Sequence, residues 1–197
     1  LNRHFVQQDL SSKQQKGTAV KNIFSFRNYL SAKFNESKLF TMSNNEELIN
    51  KFYTAFSKLD AATMNSCYSD DIVFFDPVFG LLRGHEAKSM WEMLCKNATD
   101  FSLTFGNIIT LDEEYSTCDW VATYTFSKTG KKVVNKIRAN MKFADGKIIE
   151  HSDAFSLHRW AAQALGFSGW LLGWNKFFQN KIKNGAKRNL LKFMQSK

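Results

Sequence analysis

The chemistry-bearing residues of this chain are concentrated in an alternating stretch, residues 145–157, that carries a histidine and a carboxylate two positions apart. The alternation predicts a strand with Ile149, His151, Asp153 and Phe155 on one, core-facing side. A carboxylate on a core-facing position costs free energy unless it is paired, hydrogen-bonded or used in chemistry. His151 and Asp153 are therefore the first candidates for catalytic residues.

A second carboxylate, Asp76, precedes Pro77, the only proline of the chain. Because the residue before a proline is held in extended geometry, Asp76 is predicted to end a strand. It is either a base in a pocket or a turn residue that hydrogen-bonds its own backbone. Asp153 is likewise either an acid/base or a salt-bridge or capping residue. His151 either shares a proton with one of these carboxyls or is a satisfied core histidine.

The chain has enough apolar material to fill a core or to line a cavity, because hydrophobic residues make up 44% of it and Phe alone occurs 19 times. The candidate cavity-lining side chains are Tyr53, Trp91, Trp120, Tyr124 and Met141. The same set at this spacing is typical of an ordinary core, so both interpretations stay open.

The elements that must position these residues change their period along the chain, from 3.6 to 2. Three helices packed on one curved, mostly antiparallel sheet are predicted, an α+β fold with the order α-α-β-α-β-β-β-β. Asp145-Gly146 favours the last hairpin turn, because such a turn needs positive φ at both positions. The predicted elements are helices at about 46–59 and 60–68, a strand at 72–76, a turn at 81–84, a helix at 86–97 and four strands between 101 and 155.

The formal charge of +9 is unevenly distributed. Residues 42–157 hold twelve Lys or Arg against sixteen acids, whereas residues 158–197 hold eight and no acid. A nucleic-acid-binding domain would be basic throughout, so nucleic acid is disfavoured as a partner. Basic ends suit a membrane surface or an acidic partner, or they form a solvated face.

The cysteines and the lengths of the apolar runs indicate the cellular compartment. Cys67, Cys95 and Cys118 are odd in number and lack metal-ligand spacing, which favours buried free thiols in a reducing compartment. No metal or cofactor is predicted. No apolar run approaches the ~20 residues of a membrane span. The expected localisation is cytoplasmic.

Three segments are predicted: residues 1–41, a central domain at 42–157 and a helical extension at 158–197. The first is basic and rich in Ser, Asn and Gln. It is either upstream sequence outside the natural protein, a mitochondrial-type transit peptide, or a disordered arm. A transit peptide would make the localisation mitochondrial.

The extension at 158–197 is basic and amphipathic. A short helix ends at Gly166, a tryptophan-rich stretch covers 169–174, and a longer helix runs to about residue 193. This helix either lies on a membrane interface or packs on the domain or a second subunit. The glycine-punctuated tryptophan stretch favours a fitted lid or docking segment.

The element order and several motifs resemble the nuclear-transport-factor-2-like superfamily, and most of all its SnoaL-like branch, over about residues 45–157. The motifs are Phe52-Tyr53-Thr54-Ala55-Phe56 with Asp60, Tyr68-Ser69-Asp70-Asp71, Phe75-Asp76-Pro77, Arg83-Gly84-His85-Glu86 and the run from Lys142 to Asp153. The resemblance implies a cone-shaped pocket between sheet and helices. It implies no single reaction, because this fold hosts enzymes, binding modules and transport adaptors.

The resemblance also suggests residue roles. In isomerase-like members an aspartate before a proline, like Asp76, is the proton-shuttling base, while a tyrosine and a protonated aspartate form the oxyanion hole. The matching positions here are Phe52 and Ala139, so both donors are missing and a steroid isomerase is disfavoured. In cyclase-like and epoxide hydrolase-like members an acidic residue on the last strand does acid–base work, and Asp153 matches it.

The hydrolase-like members also use an arginine and an aspartate on the penultimate strand. Arg138 and Asn140 are near those positions, but the alternation points them away from the pocket unless a bulge reverses it. The full hydrolase set is therefore not predicted.

Two functions remain open. The first is an acid–base enzyme of isomerase, cyclase or hydratase/hydrolase type acting on a hydrophobic small molecule, with Asp76 or Asp153 moving the proton and His151 relaying it. The second is a non-catalytic dimerisation module, or one that docks on a partner or membrane through the basic C-terminal helix. A homodimer is expected. The missing oxyanion donors favour the second function, and the three retained polar residues favour the first.

Overall fold

A computed structural model of the chain describes residues 43–196. These residues form six helices and six strands, and the predicted α+β fold class is confirmed. The predictions for residues 1–41 fall outside the described residues. In chain order the elements are α1 (Asn44–Ser57), α2 (Ala61–Cys67), β1 (Tyr68–Asp76), β2 (Gly80–Arg83), α3 (His85–Asn97), β3 (Ser102–Thr110), β4 (Tyr115–Phe126), β5 (Lys131–Ala144), β6 (Lys147–Ala154), α4 (Leu157–Leu165), α5 (Phe167–Leu172) and α6 (Lys176–Gln195).

The six strands form one sheet in the order β2-β1-β6-β5-β4-β3. Neighbouring strands are antiparallel, except that β1 and β6 run parallel. The first strand of the domain therefore lies beside the last one, which makes residues far apart in sequence into neighbours. The predicted curved, mostly antiparallel sheet is confirmed.

Helix α1 begins at the capping signal that the sequence carries. The Ser43 hydroxyl accepts a hydrogen bond from the backbone N–H of Glu46 at 3.1 Å, which satisfies one of the free N–H groups at a helix start. Ile49, Phe52 and Phe56 form the predicted stripe and are buried. The helix starts at Asn44, two residues before the predicted start at about residue 46, because the first helical residue directly follows the cap residue Ser43.

The predicted turn at 81–84 is wrong. Residues Gly80–Arg83 form β2 and pair antiparallel with β1. The turn lies earlier, where Asp76 Oδ1 accepts hydrogen bonds from the backbone N–H groups of Val78 and Phe79. A four-residue strand is too short to show a period in the sequence, so only its pairing with β1 defines it.

The inward face of β6 differs by one residue from the predicted one. The register between β5 and β6 shifts at Ile149, which forms a bulge. A bulge inserts an extra residue and so changes which side chains share a face. Ile148, not the predicted Ile149, is therefore fully buried on the face of His151 and Asp153. Phe155 follows the strand and is partly buried.

The core between the sheet and the first three helices is built largely from aromatic rings. Phe52 contacts the rings of Tyr53, Tyr68, Trp91 and His151, with centroids 5.1–5.6 Å apart. Tilted and edge-to-face pairs of this kind stabilise a core beyond the area they bury. His151 is thus enclosed by rings on several sides.

The C-terminal extension packs on the domain through the second half of α6. Leu190 is buried in the main core, and Ala186 and Phe193 pack against it. Trp174 and Phe177, just before and at the start of α6, stay exposed. Across the described residues no helix, α6 included, is long and apolar enough to cross a membrane.

Helices α4 and α5 approach each other so closely that their contact requires glycine. A Cβ atom at Gly169 would overlap the carbonyl oxygen of Ala161, and one at Gly173 would lie 2.8 Å from Cδ2 of His158. These two glycines of the tryptophan-rich stretch therefore fix the corner between α4 and α5.

Gly169→Ala should destabilise the protein by roughly 1–3 kcal/mol, because the added methyl group meets backbone that cannot move independently. Gly185→Ala in α6 is the matched control, since nothing lies within 4 Å of a Cβ atom built there. The control should be neutral or stabilising by up to about 1 kcal/mol through helix propensity. Urea unfolding of both variants checks this; equal effects would contradict the close contact.

Candidate functional site

An apolar cavity of about 540 Å³ lies between the sheet and the helices α3 and α6. Its wall carries two carboxyls, Asp76 and Asp153. Within residues 43–196 no group of three or more His, Cys, Asp or Glu side chains is placed to hold a metal ion. The aromatic part of the wall consists of Phe56, Phe74, Phe79, Trp91, Phe101, Trp120, Tyr124, Phe126, Phe155, Trp160 and Phe193.

The parallel pairing of β1 with β6 places both carboxyls at one level of the sheet. Phe74 pairs with His151 and Phe75 with Ser152, so the next residues along the two strands, Asp76 and Asp153, follow side by side. Alternation then turns both toward the buried face. Asp76 is 8% exposed and Asp153 4%. The two predicted acid/base residues therefore share one cavity.

Asp76 combines the two roles that the sequence left open. Its Oδ1 accepts the backbone N–H of Val78 at 2.9 Å and that of Phe79, which closes the turn into β2. Burial raises the pKa of this carboxyl from its ordinary 3.8 to about 7, with a further rise from the charge of Asp153. The backbone hydrogen bonds oppose this rise in part. The side chain is thus a turn former that also titrates near neutral pH.

Asp153 ends a buried chain of hydrogen bonds that crosses the core. Trp91 Nε1 donates to the Tyr68 hydroxyl at 2.9 Å, and this hydroxyl lies 2.6 Å from His151 Nδ1. His151 Nε2 lies 3.1 Å from Asp153 Oδ1, which also accepts from Trp120 Nε1 at 3.1 Å. All five side chains are at least nine-tenths buried.

One proton arrangement satisfies every member of this chain with a neutral imidazole. Because indole N–H groups only donate, the Tyr68 oxygen accepts from Trp91 and its own O–H donates to His151 Nδ1. His151 Nε2–H then donates to Asp153. Burial raises the pKa of Tyr68 well above its ordinary value, so its proton remains in place. The histidine therefore supports Asp153 from behind and does not line the cavity.

The sequence missed two parts of the site. Tyr68 belongs to a quoted motif, but its contact with His151 spans 83 positions, and no local pattern indicates it. The other missed part is α6, which lines the cavity through Ile182, Gly185 and Ala186. The amphipathic pattern of α6 predicted a packing face but could not specify what lies beneath it.

The predicted cavity residues fall into two groups. Trp91, Trp120 and Tyr124 line the cavity. Tyr53 and Met141 lie in the packed core behind its wall, with exposures of 0% and 1%. The Tyr53 hydroxyl has no hydrogen-bond partner among residues 43–196, although its ring stacks on neighbouring aromatic rings.

The oxyanion and hydrolase positions are arranged as the sequence predicts. Phe52 and Ala139 are fully buried and offer no side-chain donor. Arg138 lies on the opposite face of β5, where its guanidinium donates twice to Asp119, at 2.7 and 3.0 Å. Asn140 shares that outward side and is exposed. No bulge turns these residues inward, so they do not reach the cavity.

Comparison with known proteins identifies the family and the fold. The family model described as "SnoaL-like domain" matches residues 49–151, just over half of the chain. None of the curated protein sequences matches the chain.

Several solved structures share the fold. A proposed polyketide cyclase from Silicibacter sp. is 18% identical with a TM-score of 0.56, covering 64% of this chain and 98% of its own. A hypothetical protein with a ketosteroid isomerase-like fold from Catenulispora acidiphila is 13% identical with a TM-score of 0.53, and the match covers 60% of this chain and 92% of that protein. A proposed hydroxylase from Streptomyces galilaeus is 21% identical with a TM-score of 0.51, and the match covers 59% of this chain and 92% of that protein. At such identities the likeness concerns the fold alone.

Replacing each of two buried tyrosines by phenylalanine should give opposite results. Tyr68→Phe leaves Trp91 Nε1 and His151 Nδ1 without a partner, so we expect a loss of about 2–4 kcal/mol in the free energy of unfolding. Tyr53→Phe removes a hydroxyl that lacks a partner, so we expect no loss and a gain of up to about 2 kcal/mol. Urea unfolding measures both, and a similar loss in both variants would contradict the hydrogen-bond assignment.

The raised pKa of Asp76 predicts a pH-dependent stability. Between about pH 4 and the folded-state pKa of about 7, the native protein binds this proton and the unfolded chain does not. The protonated Asp76 carboxyl therefore contributes fully to the free energy of unfolding below about pH 4, and this contribution is lost as the pH rises to about 7. Asp76→Asn should therefore gain stability over the wild type with rising pH, by up to about 1.4 kcal/mol per pH unit.

Unfolding curves at several pH values measure this difference, and carbon-13 NMR titration of the Asp76 carboxyl measures its pKa directly. The asparagine side-chain oxygen can still accept the two backbone hydrogen bonds of the turn, so the fold is preserved. A difference between variant and wild type that stays constant with pH would contradict the assignment.

Proposed function

Since the chain belongs to the family of SnoaL-like domains, we propose that it binds a hydrophobic small molecule in the cavity beneath α6 and moves a proton on it. The observation that carries this proposal is the pair Asp76 and Asp153, side by side on the wall of a mostly apolar cavity. Two carboxyls at a shared buried site cost stability. The hydrogen bonds that Asp76 accepts offset this cost only in part, as its raised pKa shows.

The size and lining of the cavity support a small, largely apolar ligand. Its volume of about 540 Å³ falls within the roughly 300–1,000 Å³ of ordinary small-molecule sites. Aromatic rings from β4, α3 and α4 provide flat apolar walls, so a planar or ring-containing molecule would be well covered. The lining also contains polar side chains, among them Asn97, Asn135 and Lys181, which suit orientation of the ligand by its oxygen atoms.

Asp76 is suited to proton transfer. A general acid or base works best when its pKa is close to the working pH, and burial brings the pKa of Asp76 to about 7. Its Oδ1 accepts the backbone hydrogen bonds of the turn, which leaves Oδ2 to exchange a proton with the ligand. The backbone hydrogen bonds also hold the carboxyl in one orientation.

Asp153 has a different environment, and we assign it the complementary role. Trp120 and His151 both hydrogen-bond to its Oδ1, which holds the carboxyl in one orientation. Its carboxyl can accept a hydrogen bond from the ligand, or take up the proton that leaves one ligand atom while Asp76 delivers its own proton to another. His151 acts as a positioning residue, because it contacts Asp153 and not the cavity.

Tyr124 can supply the hydrogen-bond donor that Phe52 and Ala139 lack. Its oxygen accepts from Trp160 Nε1 at 2.8 Å, and within residues 43–196 its own O–H has no acceptor. Burial raises the pKa of Tyr124, so the phenol keeps its proton. A ligand oxygen beside it would receive a hydrogen bond that strengthens as negative charge develops.

Proton transfer at carbon is the reaction class that this arrangement favours. One carboxyl that gains or loses a proton near neutral pH, one that accepts hydrogen bonds and one phenol donor suffice for isomerisation or ring closure. The likeness in fold to a proposed polyketide cyclase is compatible with ring closure. The missing donors at Phe52 and Ala139 argue against a steroid isomerase.

The homodimer expected from the sequence stays a prediction. The outer face of the sheet offers a shallow groove for such a contact, lined by Val73, Phe75 and Tyr115 beside Lys142 and Glu150. Phe75 and Tyr115 are exposed there.

The proposal predicts that the purified full-length chain retains hydrophobic small molecules, detectable by mass spectrometry after denaturation. In Gly185→Phe the new ring would point into the cavity, because a Cβ atom at Gly185 meets open space on the lining of α6. This variant should retain at least about tenfold less of the small molecule than the wild type. Leu111→Ala, in the exposed turn between β3 and β4, is the control and should retain the wild-type amount.

Incubation of the loaded protein in D₂O tests the chemistry even while the substrate is unidentified. Deuterium should appear at carbon in the bound molecule. Asp76→Asn should bind the molecule but exchange it about 10²–10⁴-fold more slowly, the usual contribution of a general base. Equal exchange in wild type and Asp76→Asn would contradict the catalytic part alone, whereas no retained molecule in any variant would contradict the binding part.

A further inference from the structure

The segment from α5 to the start of α6 presents a cluster of large apolar side chains to solvent. Its six members are between 41% and 81% exposed, although each is of a type that usually lies inside. We call this cluster the aromatic patch. It consists of Phe167, Trp170, Leu171, Leu172, Trp174 and Phe177.

The aromatic patch is held in place by specific contacts. Gly169 packs directly on the backbone of Ala161, so one side of α5 faces α4 and the opposite side faces outward. His158 Nε2 lies 3.0 Å from the carbonyl oxygen of Trp170. Asn175 caps α6 by accepting hydrogen bonds from two backbone N–H groups. The exposure of the six side chains is therefore a consequence of ordered backbone packing.

Two lysines lie at the aromatic patch, and acidic residues are absent from the neighbouring sequence. Residues 154–197 contain no Asp or Glu, nor do residues 126–144, which include the turn from β4 to β5. Lys176 lies inside the patch, between Trp174 and Phe177. Lys131, from the turn, packs against Gly166 beside the start of the patch.

From these observations we propose that the aromatic patch docks on the surface of an anionic lipid membrane. Tryptophan and phenylalanine flanked by lysine suit the boundary between headgroups and acyl chains, where the rings leave water and the cations remain hydrated. Each cation near such a surface adds about 1 kcal/mol of attraction. The proposal is independent of the cavity chemistry, because none of the six side chains lines the cavity.

A second copy of the chain fits the aromatic patch less well than a membrane does. A symmetric dimer would place the same surface on both sides of the contact. The contact would then bring two copies each of Lys131 and Lys176 into one apolar interface, and like charges there repel. An anionic lipid surface supplies the opposite charge.

Co-sedimentation of the full-length chain with lipid vesicles tests the proposal. The chain should bind vesicles of phosphatidylcholine with about 30% phosphatidylserine more tightly than phosphatidylcholine alone, and raised salt should weaken the binding. Trp170→Ser combined with Trp174→Ser should lower binding at least about tenfold. Leu111→Ser, at an exposed apolar residue outside the patch, should leave the binding unchanged.

Fluorescence gives a local readout because the other tryptophans are buried. Trp91, Trp120 and Trp160 are at most 7% exposed, whereas Trp170 and Trp174 are 59% and 70% exposed. Iodide should therefore quench part of the emission of the free protein, and vesicles should protect that part. Lipids brominated on the acyl chain should quench the same part once the protein is bound.

Four results would overturn the proposal. The first is that the chain does not bind anionic vesicles, and the second is that the double variant binds them as tightly as the wild type and has the same urea unfolding midpoint. The third is that iodide fails to quench the tryptophan emission even without vesicles. The fourth is that the wild type is a dimer in solution and the double variant is a monomer. The third would mean that the chain itself covers the patch, and the fourth that a second copy does.

Discussion

The parallel pairing of β1 with β6 is the constraint on which the candidate site depends. Parallel strands keep side chains of equal level on the same face, so this single register brings together two carboxyls that are far apart in the sequence. A slip by one residue would turn His151 and Asp153 toward the outer face of the sheet. The bulge in β6 precedes these residues and sets their phase. The chemistry of the cavity therefore rests on backbone hydrogen bonds between the first and last strands.

The polar groups on the inward face are costly and are supported by their neighbours. Asp153 receives two hydrogen bonds from inside the core, and the Tyr68 hydroxyl connects Trp91 to His151. A fully satisfied buried network of this kind fixes one arrangement of the core. Asp76 is less well compensated, because the backbone hydrogen bonds that it accepts offset the cost of its burial only in part. The residual cost appears as a raised pKa, and that same shift suits the carboxyl to proton transfer.

Helix α6 connects the cavity to the outer surface of the molecule. One end covers the cavity with small and apolar side chains, among them Gly185 and Ala186, while the other begins within the aromatic patch. The C-terminal extension thus has two chemically different surfaces, although its sequence shows one amphipathic pattern throughout.

Local signals in the sequence were sufficient for the fold class and for the candidate acid/base residues. The cap at Ser43, the positive-φ turn at Asp145-Gly146 and the change of period from 3.6 to 2 all report interactions between residues close in the chain. These specified α1 to α4, α6, the later strands and the inward position of His151 and Asp153. Local signals could not specify β2, the inward position of Ile148 in place of Ile149, the hydrogen bond between Tyr68 and His151, or the part of the cavity wall that α6 forms. Each of these depends on a contact between distant residues, whose register only the folded sheet decides.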